Sequence, residues 1–294
     1  MYSIDDLRSF VAIAETGGVT SGARRLGISP ATTSHRLAKL EAALRLTLFH
    51  RNSRVMRLTP EGQIFARRVR RILDDLAEAE PDAGSGAEDV TGTLRVTMSP
   101  WILSRFILPH LPAFRRAYPD LTLEFLAVDR FVPLAAEGQD CAIRVGQLED
   151  SALVAQKLSD NERIICCAPS FAAEHGPFER IDAVIAAPWV TLPWQTRFAI
   201  NDGSGGARDV TVKSRVLLSS SDMMTEAALA GIGLALKSRL AVWRELEEGR
   251  LIEVRPGTLN APSAPIWFVF SPEARAGQKT RVFGDLAKRA FAPL

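Results

Sequence analysis

Over the first eighty positions, apolar residues recur mostly at helical spacing. Ser3 opens the first run as an N-cap, with Asp6 in the reciprocal place of a capping box. Leu7, Phe10, Val11 and Ala14 then stand at i, i+3, i+4 and i+7 and form one face, which Gly17-Gly18 ends. A second, short helix is predicted from Thr20 through Ala23 and Leu26, closed by Gly27, with Ile28 turning the chain back onto the core. Ser29-Pro30 restarts helix at once, because a serine cap followed by proline at the first helical position loses no hydrogen bond. Leu37, Leu40 and Leu44 line the buried side of this third helix. Ala31, Thr32, Thr33, Ser34, His35, Arg36 and Lys39 are left for its start and outer face.

Beyond Leu48-Phe49 the pattern becomes a basic hairpin, in which Arg51, Asn52, Ser53, Arg54 and Arg57 surround Val55 and Met56. Thr59-Pro60-Glu61 then begins another capped helix. Within it Phe65, Val69, Ile72, Leu76 and Ala79 are spaced 4, 3, 4 and 3 apart, a heptad seam that Ile64 and Leu73 widen. Its first half carries Arg67, Arg68, Arg70 and Arg71, its second half Asp74, Asp75, Glu78 and Glu80. That order opposes the helix's own dipole but suits two copies packed antiparallel. The helix is therefore expected to pair two chains; the alternative is that it covers its own domain.

Residues 81–92 are small, polar and acidic without apolar period, and read as a linker. Period-2 and period-3.6 patterns alternate after it. Strands are predicted at Leu94–Met98, Leu121–Ala127 and Cys141–Val145, with helical stretches at Ile102–Ala117 (interrupted near Pro109 and Pro112) and Val132–Glu137. Such β-α-β-α-β order implies a parallel sheet with helices on its faces. Leu153–Leu158 and Arg163–Ala168 continue with extended character. Residues 170–265 suggest a second α/β lobe, with strands near Trp189–Leu192, Val210–Leu218 and Gly233–Leu236 and a helix at Asp222–Ala230. Trp267–Phe270 and a helix from about Lys279 to Ala290 are expected to return to the first lobe. The reading is thus an α/β multi-domain chain: residues 1–60, a helical head; 61–92, linker helix and hinge; 93–294, a two-lobed body, lobe I about 93–165 and 266–294, lobe II about 166–265.

Charge sharpens this picture. Residues 1–72 hold 13 Lys+Arg and 5 Asp+Glu, a net of +8; residues 73–294 hold 23 and 29, a net of −6. The overall +2 hides a basic head on an acidic body, and a basic head is what a polyanion requires. Two short helices joined by a glycine turn, the second rich in small polar and basic groups, form a helix-turn-helix arrangement with double-stranded DNA as the expected partner. A small helical bundle with a solvated basic loop is the alternative. The apolar runs are shorter than the roughly 20 residues of a membrane span, the N-terminus reads as helix rather than signal peptide, and three cysteines make no disulfide framework. A cytoplasmic protein without membrane contact is expected.

The residues of the head resemble the winged helix-turn-helix of LysR-type bacterial transcriptional regulators. The matching stretches are FVAIAETGG, ARRLGIS, SPATTSHRLAKLE, LFHR and RLTPEG, in the family's order and spacing. Gly18, Gly22 and Arg45 depart from it, standing where serine, alanine and a helix-ending glycine are usual, and Gly22 is expected to weaken the second helix by about 1 kcal/mol. The body resembles that family's effector-binding domain, a two-lobed fold like the periplasmic solute-binding proteins, through GTLRVTMS, FRRAYPDLTLEF, GQDCAIRVG and SSDMMTEAALAGIGLAL. The resemblance implies a sequence-specific DNA-binding regulator that responds to a small-molecule effector, assembles as a dimer or tetramer, and has RNA polymerase as a further partner.

The expected DNA face comprises Thr20, Ser29, Pro30, Ala31, Thr33, Ser34 and Arg36, with Arg51 and Arg54 of the hairpin on the backbone or minor groove. A small, anionic effector is expected between the lobes, where strand ends and helix starts converge. By position its contacts are Ser99, Pro100 and Trp101 after the first strand, Asp129 after the second, Arg144 and Gly146 at the third, and Trp194 and Ser221 in the second lobe. Arg144 would clamp a carboxylate. No catalytic residue, metal or cofactor is expected: the histidines at 35, 50, 110 and 175 are scattered, and the glycine pairs at 203–205 and 231–233 lack a strand-turn-helix setting. Two other readings stay open, a solute-binding module or transferase on the two-lobed fold, and a peroxide sensor using Cys141, Cys166 or Cys167.

Overall fold

The computed structural model describes residues 1–50, 56–82, 90–148, 152–201, 206–254, 263–272, 274 and 277–292. It forms two compact units, one built mainly on Met1–Thr93 and the other on the remaining chain, apart from two short segments.

The first unit begins with α1 (Ile4–Thr16), α2 (Val19–Leu26) and α3 (Pro30–Leu44). The capping box at Ser3 is complete: Asp6 N donates to Ser3 Oγ (3.3 Å) and Ser3 N to Asp6 Oδ2 (2.8 Å). Ser29 caps α3 through Thr32 N at 3.0 Å. β1 (Phe49–His50) and β2 (Arg57–Leu58) pair antiparallel, and α4 (Pro60–Asp82) follows, capped by the Thr59 hydroxyl, which accepts from Gly62 N at 2.9 Å. Residues 51–55, the tip of the basic hairpin with Arg51 and Arg54, lie outside the described residues. The core of this unit is Leu7, Phe10, Ile13, Leu37, Leu40, Leu48 and Phe49 closed by Ala66 and Val69.

Two readings of this unit change. Phe65, Val69 and Leu73 of the expected seam pack inside the head, and Val69 is buried there. Among the described residues of α4, the exposed large apolar side chains are Ile64 and Ile72. The first half of the helix thus closes its own domain with one stripe, and any partner must meet another. Gly22 was expected to weaken α2; instead a Cβ there would stand 3.0 Å from Ile13 N and 3.1 Å from the Ala12 carbonyl carbon. The missing side chain lets α2 approach α1. Arg45 ends α3 in the left-handed region (φ 55°), doing without glycine what glycine usually does.

The second unit starts with β3 (Gly92–Met98) and a helical path that changes pitch: α5 (Pro100–Ile102), a π turn at Leu103–Ile107, a 3-10 turn at Leu108–His110 and α6 (Leu111–Ala117). Pro109 and Pro112 lack the N–H groups that one uniform helix would need. β4 (Leu121–Ala127), α7 (Leu134–Glu137), β5 (Cys141–Val145) and β6 (Val154–Ser159) complete the first pass. β7 (Arg163–Cys167), α8 (Pro169–His175), α9 (Ile181–Ala186), β8 (Trp189–Thr191), β9 (Arg197–Asn201), β10 (Ala207–Thr211), β11 (Ser214–Leu217), α10 (Ser221–Leu229), β12 (Ala235–Ser238), α11 (Arg239–Glu247) and β13 (Ile252–Glu253) build the second lobe. β14 (Ile266–Phe270) and α12 (Gln278–Phe291) follow.

The first sheet has the order β4-β3-β5-β14-β6; β3 and β5 are parallel, while β14 runs antiparallel to both β5 and β6. The second lobe holds β12-β7-β13, all antiparallel, with the parallel pair β11-β8 and the hairpin β9-β10. The crossing between lobes lies between Ser159 and Arg163, earlier than position 165, because β7 is one unbroken strand of the second sheet. The stretch Val210–Leu218 is not one strand: it pairs with β9 up to Thr211 and with β8 from Ser214. Cys166 and Cys167 face opposite sides of β7 and join different core clusters.

Candidate functional site: a DNA-reading head and a charged cavity

In the head, α3 presents Ser29, Pro30, Ala31, Thr32, Ser34 and His35 to solvent, and Thr20 is exposed at the start of α2. Thr33 is not on that face. It is fully buried, and its Oγ1 donates to Ser29 O at 3.1 Å. The reason is periodic: Thr33 precedes Leu37, Leu40 and Leu44 by 4, 7 and 11 positions and so continues their stripe. Thr32 and His35, which the expected list omitted, hold the exposed positions instead. Two cations are drawn back onto α1, Arg36 to Asp5 (3.0 Å) and Lys39 to Asp6 (2.9 Å). Burial pushes the Asp6 carboxyl up, but Lys39 and the Ser3 amide outweigh it and hold the group below the usual carboxylate range. Beneath the hairpin, Glu41 Oε1 accepts from Leu48 N at 2.7 Å, and Met56 N donates to Gly17 O at 3.1 Å. These bonds fix both ends of the wing to the helices.

The second unit contains a cavity of about 940 Å³ at the ends of β3, β5, β7 and β12. Of the residues expected around an effector, Ser99, Trp101, Asp129, Arg144, Trp194 and Ser221 line it. Pro100 and Gly146 do not. Pro100 is committed to starting α5, and Gly146 (φ 111°) turns the chain after β5 while its carbonyl accepts from Trp267 Nε1 at 3.0 Å.

Hydrogen bonding alters the roles of several lining groups. The start of α10 was expected to offer its N–H groups to a ligand, yet Ser221 N already donates to Asp129 Oδ2 at 2.6 Å, a carboxylate from the other lobe. Arg144 Nη2 donates to Val132 O at 2.7 Å, and its guanidinium lies 4.1 Å above the Phe131 ring. Two cations were missed. Lys237, on β12, is 2% exposed; its Nζ donates to Ser221 O (2.5 Å) and Ser221 Oγ (2.6 Å), and burial lowers its ammonium to about 8. Arg163, first residue of β7, pairs with Ser238 through the backbone, but its side chain has no hydrogen bond or ion pair among the described residues, and burial alone lowers its guanidinium. A charged residue inside the apolar run Leu234–Leu236 and Ser238 was a legible signal for Lys237. Arg163 at a strand start gave none.

Around the cavity stand Arg130, Arg144, Arg163 and Lys237 against Asp129: four cationic side chains and one acidic among the described lining residues. The cysteines are poorly placed for thiolate chemistry. Burial pushes Cys141 well above the usual thiol range, Cys166 to about 12 and Cys167 to about 11.

Comparison with known proteins agrees with both halves of this geometry. Residues 4–63 match the family model described as "Bacterial regulatory helix-turn-helix protein, lysR family", and residues 87–292 that of the "LysR substrate binding domain". The chain is 30% identical to the HTH-type transcriptional regulator DmlR of Escherichia coli (strain K12), over 98% of this chain and 94% of that protein. It resembles the solved structure of CrgA, a LysR-type transcriptional regulator from Neisseria meningitidis, with a TM-score of 0.63 at 25% identity, covering 99% of each chain. The full-length structure of AphB, the Vibrio cholerae virulence activator, shares the fold with a TM-score of 0.65 at 23% identity over 97% of this chain and 98% of that one. The exposed start of α3, the hairpin beside it and a two-lobed body around a charged cavity are therefore those of a LysR-type regulator, and the chain belongs to that family of DNA-binding transcriptional regulators with an effector-binding domain.

Proposed function

We propose that this regulator responds to a small anionic molecule held in the cavity of its second unit, and that it acts by binding alone, without cofactor or catalytic step. The observation that carries the reading is the surplus of positive charge among the described residues around that cavity, Arg144, Arg163 and Lys237 against Asp129. A buried cation without a counter-charge is costly, and a ligand anion removes that cost. The effector need not create DNA affinity. It shifts the population of one oligomer arrangement over another by its different affinity for the two. The exposed Ile64 and Ile72 on α4 supply an apolar stripe for pairing two chains. On DNA, the start of α3 enters the major groove, with Ser34 and its exposed neighbours nearest the bases, while Arg51 and Arg54 reach phosphates or the minor groove. Among the described residues no helix is long and apolar enough to cross a membrane. The working site is the cytoplasm, beside RNA polymerase. The buried, hard-to-ionise cysteines speak against the peroxide-sensor reading.

A thermal-shift screen of the full chain with small carboxylates, followed by footprinting with any hit, tests this. Ser99→Ala and Arg144→Ala should abolish the effector-dependent change of the footprint while basal DNA binding persists. Variants that respond like the wild type would place the effector elsewhere.

A further inference from the structure

Among the described residues, charge around the cavity is not only positive in sum; cations line it from both lobes. Arg144 belongs to β5 of the five-stranded sheet, Arg163 to β7 of the three-stranded one, and both line the same cavity. Among the described residues neither has an ion pair: Arg144 has a carbonyl and a ring, and Arg163 has no partner. The other charges are engaged: Asp129 caps α10, Lys237 donates twice to Ser221, the exposed Arg130 has an interaction of its own, and nearby Arg105 is paired with Glu245 at 3.1 Å. Burial lowers both guanidinium groups, and among the described residues no acidic group offsets it. An anion that pairs with one arginine alone would leave the other desolvated and unpaired.

We infer that the effector is a dianion, a small molecule with two acidic groups, one facing Arg144 on the first lobe and the other facing Arg163 on the second. This rests on the reading that the cavity is the effector site, and it adds the number of charges and the residue that holds each. Such a ligand neutralises both cations in one event and joins the lobes by its own skeleton. The arginine fork suits carboxylate and phosphate oxygens alike.

The test titrates the full-length chain by calorimetry with linear diacids from malonate to suberate, isophthalate and glycerol phosphate. Each diacid is compared with its own monoamide, which keeps shape and removes one charge; glycerol, which removes both, is the comparison for the phosphate. The best diacid should bind at least about tenfold tighter than its monoamide. In Arg144→Gln and in Arg163→Gln that preference should fall to about threefold or less, with Arg163→Lys restoring most of it. Arg163→Gln should not melt below the wild type, since it removes a half-buried charge without a side-chain partner among the described residues, whereas Arg144→Gln also gives up the bond to Val132 O and the contact with the Phe131 ring. Diacid and monoamide binding equally well to the wild type would overturn the dianion while leaving the cavity as the effector site. The same holds if Arg163→Gln keeps the full preference. Should no acid bind, or should binding survive Ser99→Trp, which fills the cavity from β3, the underlying reading falls with it.

Discussion

Replacing Lys237 with methionine should make the protein more stable. Lys237 is 2% exposed, hydrogen-bonded only to the neutral oxygens of Ser221. Burial dominates its environment; Cys166, Asp222 and Asp129 favour its charge, and Arg105 opposes it. The fall of its ammonium from 10.5 to about 8 corresponds to about 3 kcal/mol at ~1.36 kcal/mol per tenfold change in proton affinity. Losing two hydrogen bonds returns about 1 kcal/mol, since Ser221 O keeps Thr225 Oγ1 at 3.2 Å. The net gain of Lys237→Met at pH 7 is therefore about 2 kcal/mol, or roughly 4–8 °C in Tm for a unit of about 200 residues. The gain has a pH signature. Below pH 8 the lysine is protonated in both folded and unfolded chains, and the folded state bears the full penalty. Between pH 8 and 10.5 the folded chain has released a proton that the unfolded chain retains, so wild-type stability rises with pH there. The advantage of methionine should shrink across that window and vanish near its upper end. Urea denaturation followed by tryptophan fluorescence measures this selectively, because all five tryptophans (101, 189, 194, 243 and 267) lie beyond the head. A variant less stable than wild type at pH 7 by 1 kcal/mol or more, about half the expected gain with opposite sign, would show that Asp222 and Asp129 outweigh desolvation and would refute the argument.

Other consequences concern the head. Gly62→Ala should destabilise it by several kcal/mol in thermal melts of the full chain, since a Cβ there would lie 2.1 Å from the Leu48 carbonyl oxygen, backbone that cannot swing aside. Arg45→Gly should instead stabilise it by about 1 kcal/mol by relieving the left-handed backbone at the end of α3. Val69→Asp should unfold the head because Val69 is core, whereas Ile72→Asp should leave the fold intact and lower the mass seen in sedimentation; an unchanged mass would remove that stripe from the interface. In selection from random DNA, Ser34→Ala and His35→Ala should alter the preferred sequence, while Thr33→Val, buried under α3, should not.

Much of this protein was legible along the chain because its signals are local. A serine cap, a proline at the first helical position and leucines at helical spacing act within a few residues of themselves. The start of α3, its buried stripe and the capped start of α4 therefore follow from sequence alone, as does the basic head on an acidic body. Residue types at the ends of strands likewise pointed to Ser99, Asp129, Arg144 and Ser221 as cavity neighbours. What tertiary structure decided is who satisfies whom. Asp129 and Ser221 are 92 positions apart, and only folding brings the carboxylate onto the start of α10. The stripe Phe65, Val69 and Leu73 has the same spacing whether it meets a second chain or its own core; contact with Phe10, Leu40 and Phe49 settled it. Gly22 reads as helix-weakening until the backbone pressed against it is seen, and nothing along the chain marks Gly62 as lying against the Leu48 carbonyl. That Arg163 has no charge partner among the described residues is likewise invisible in sequence, because a missing partner is a property of the space around a side chain and not of the residues beside it in the chain.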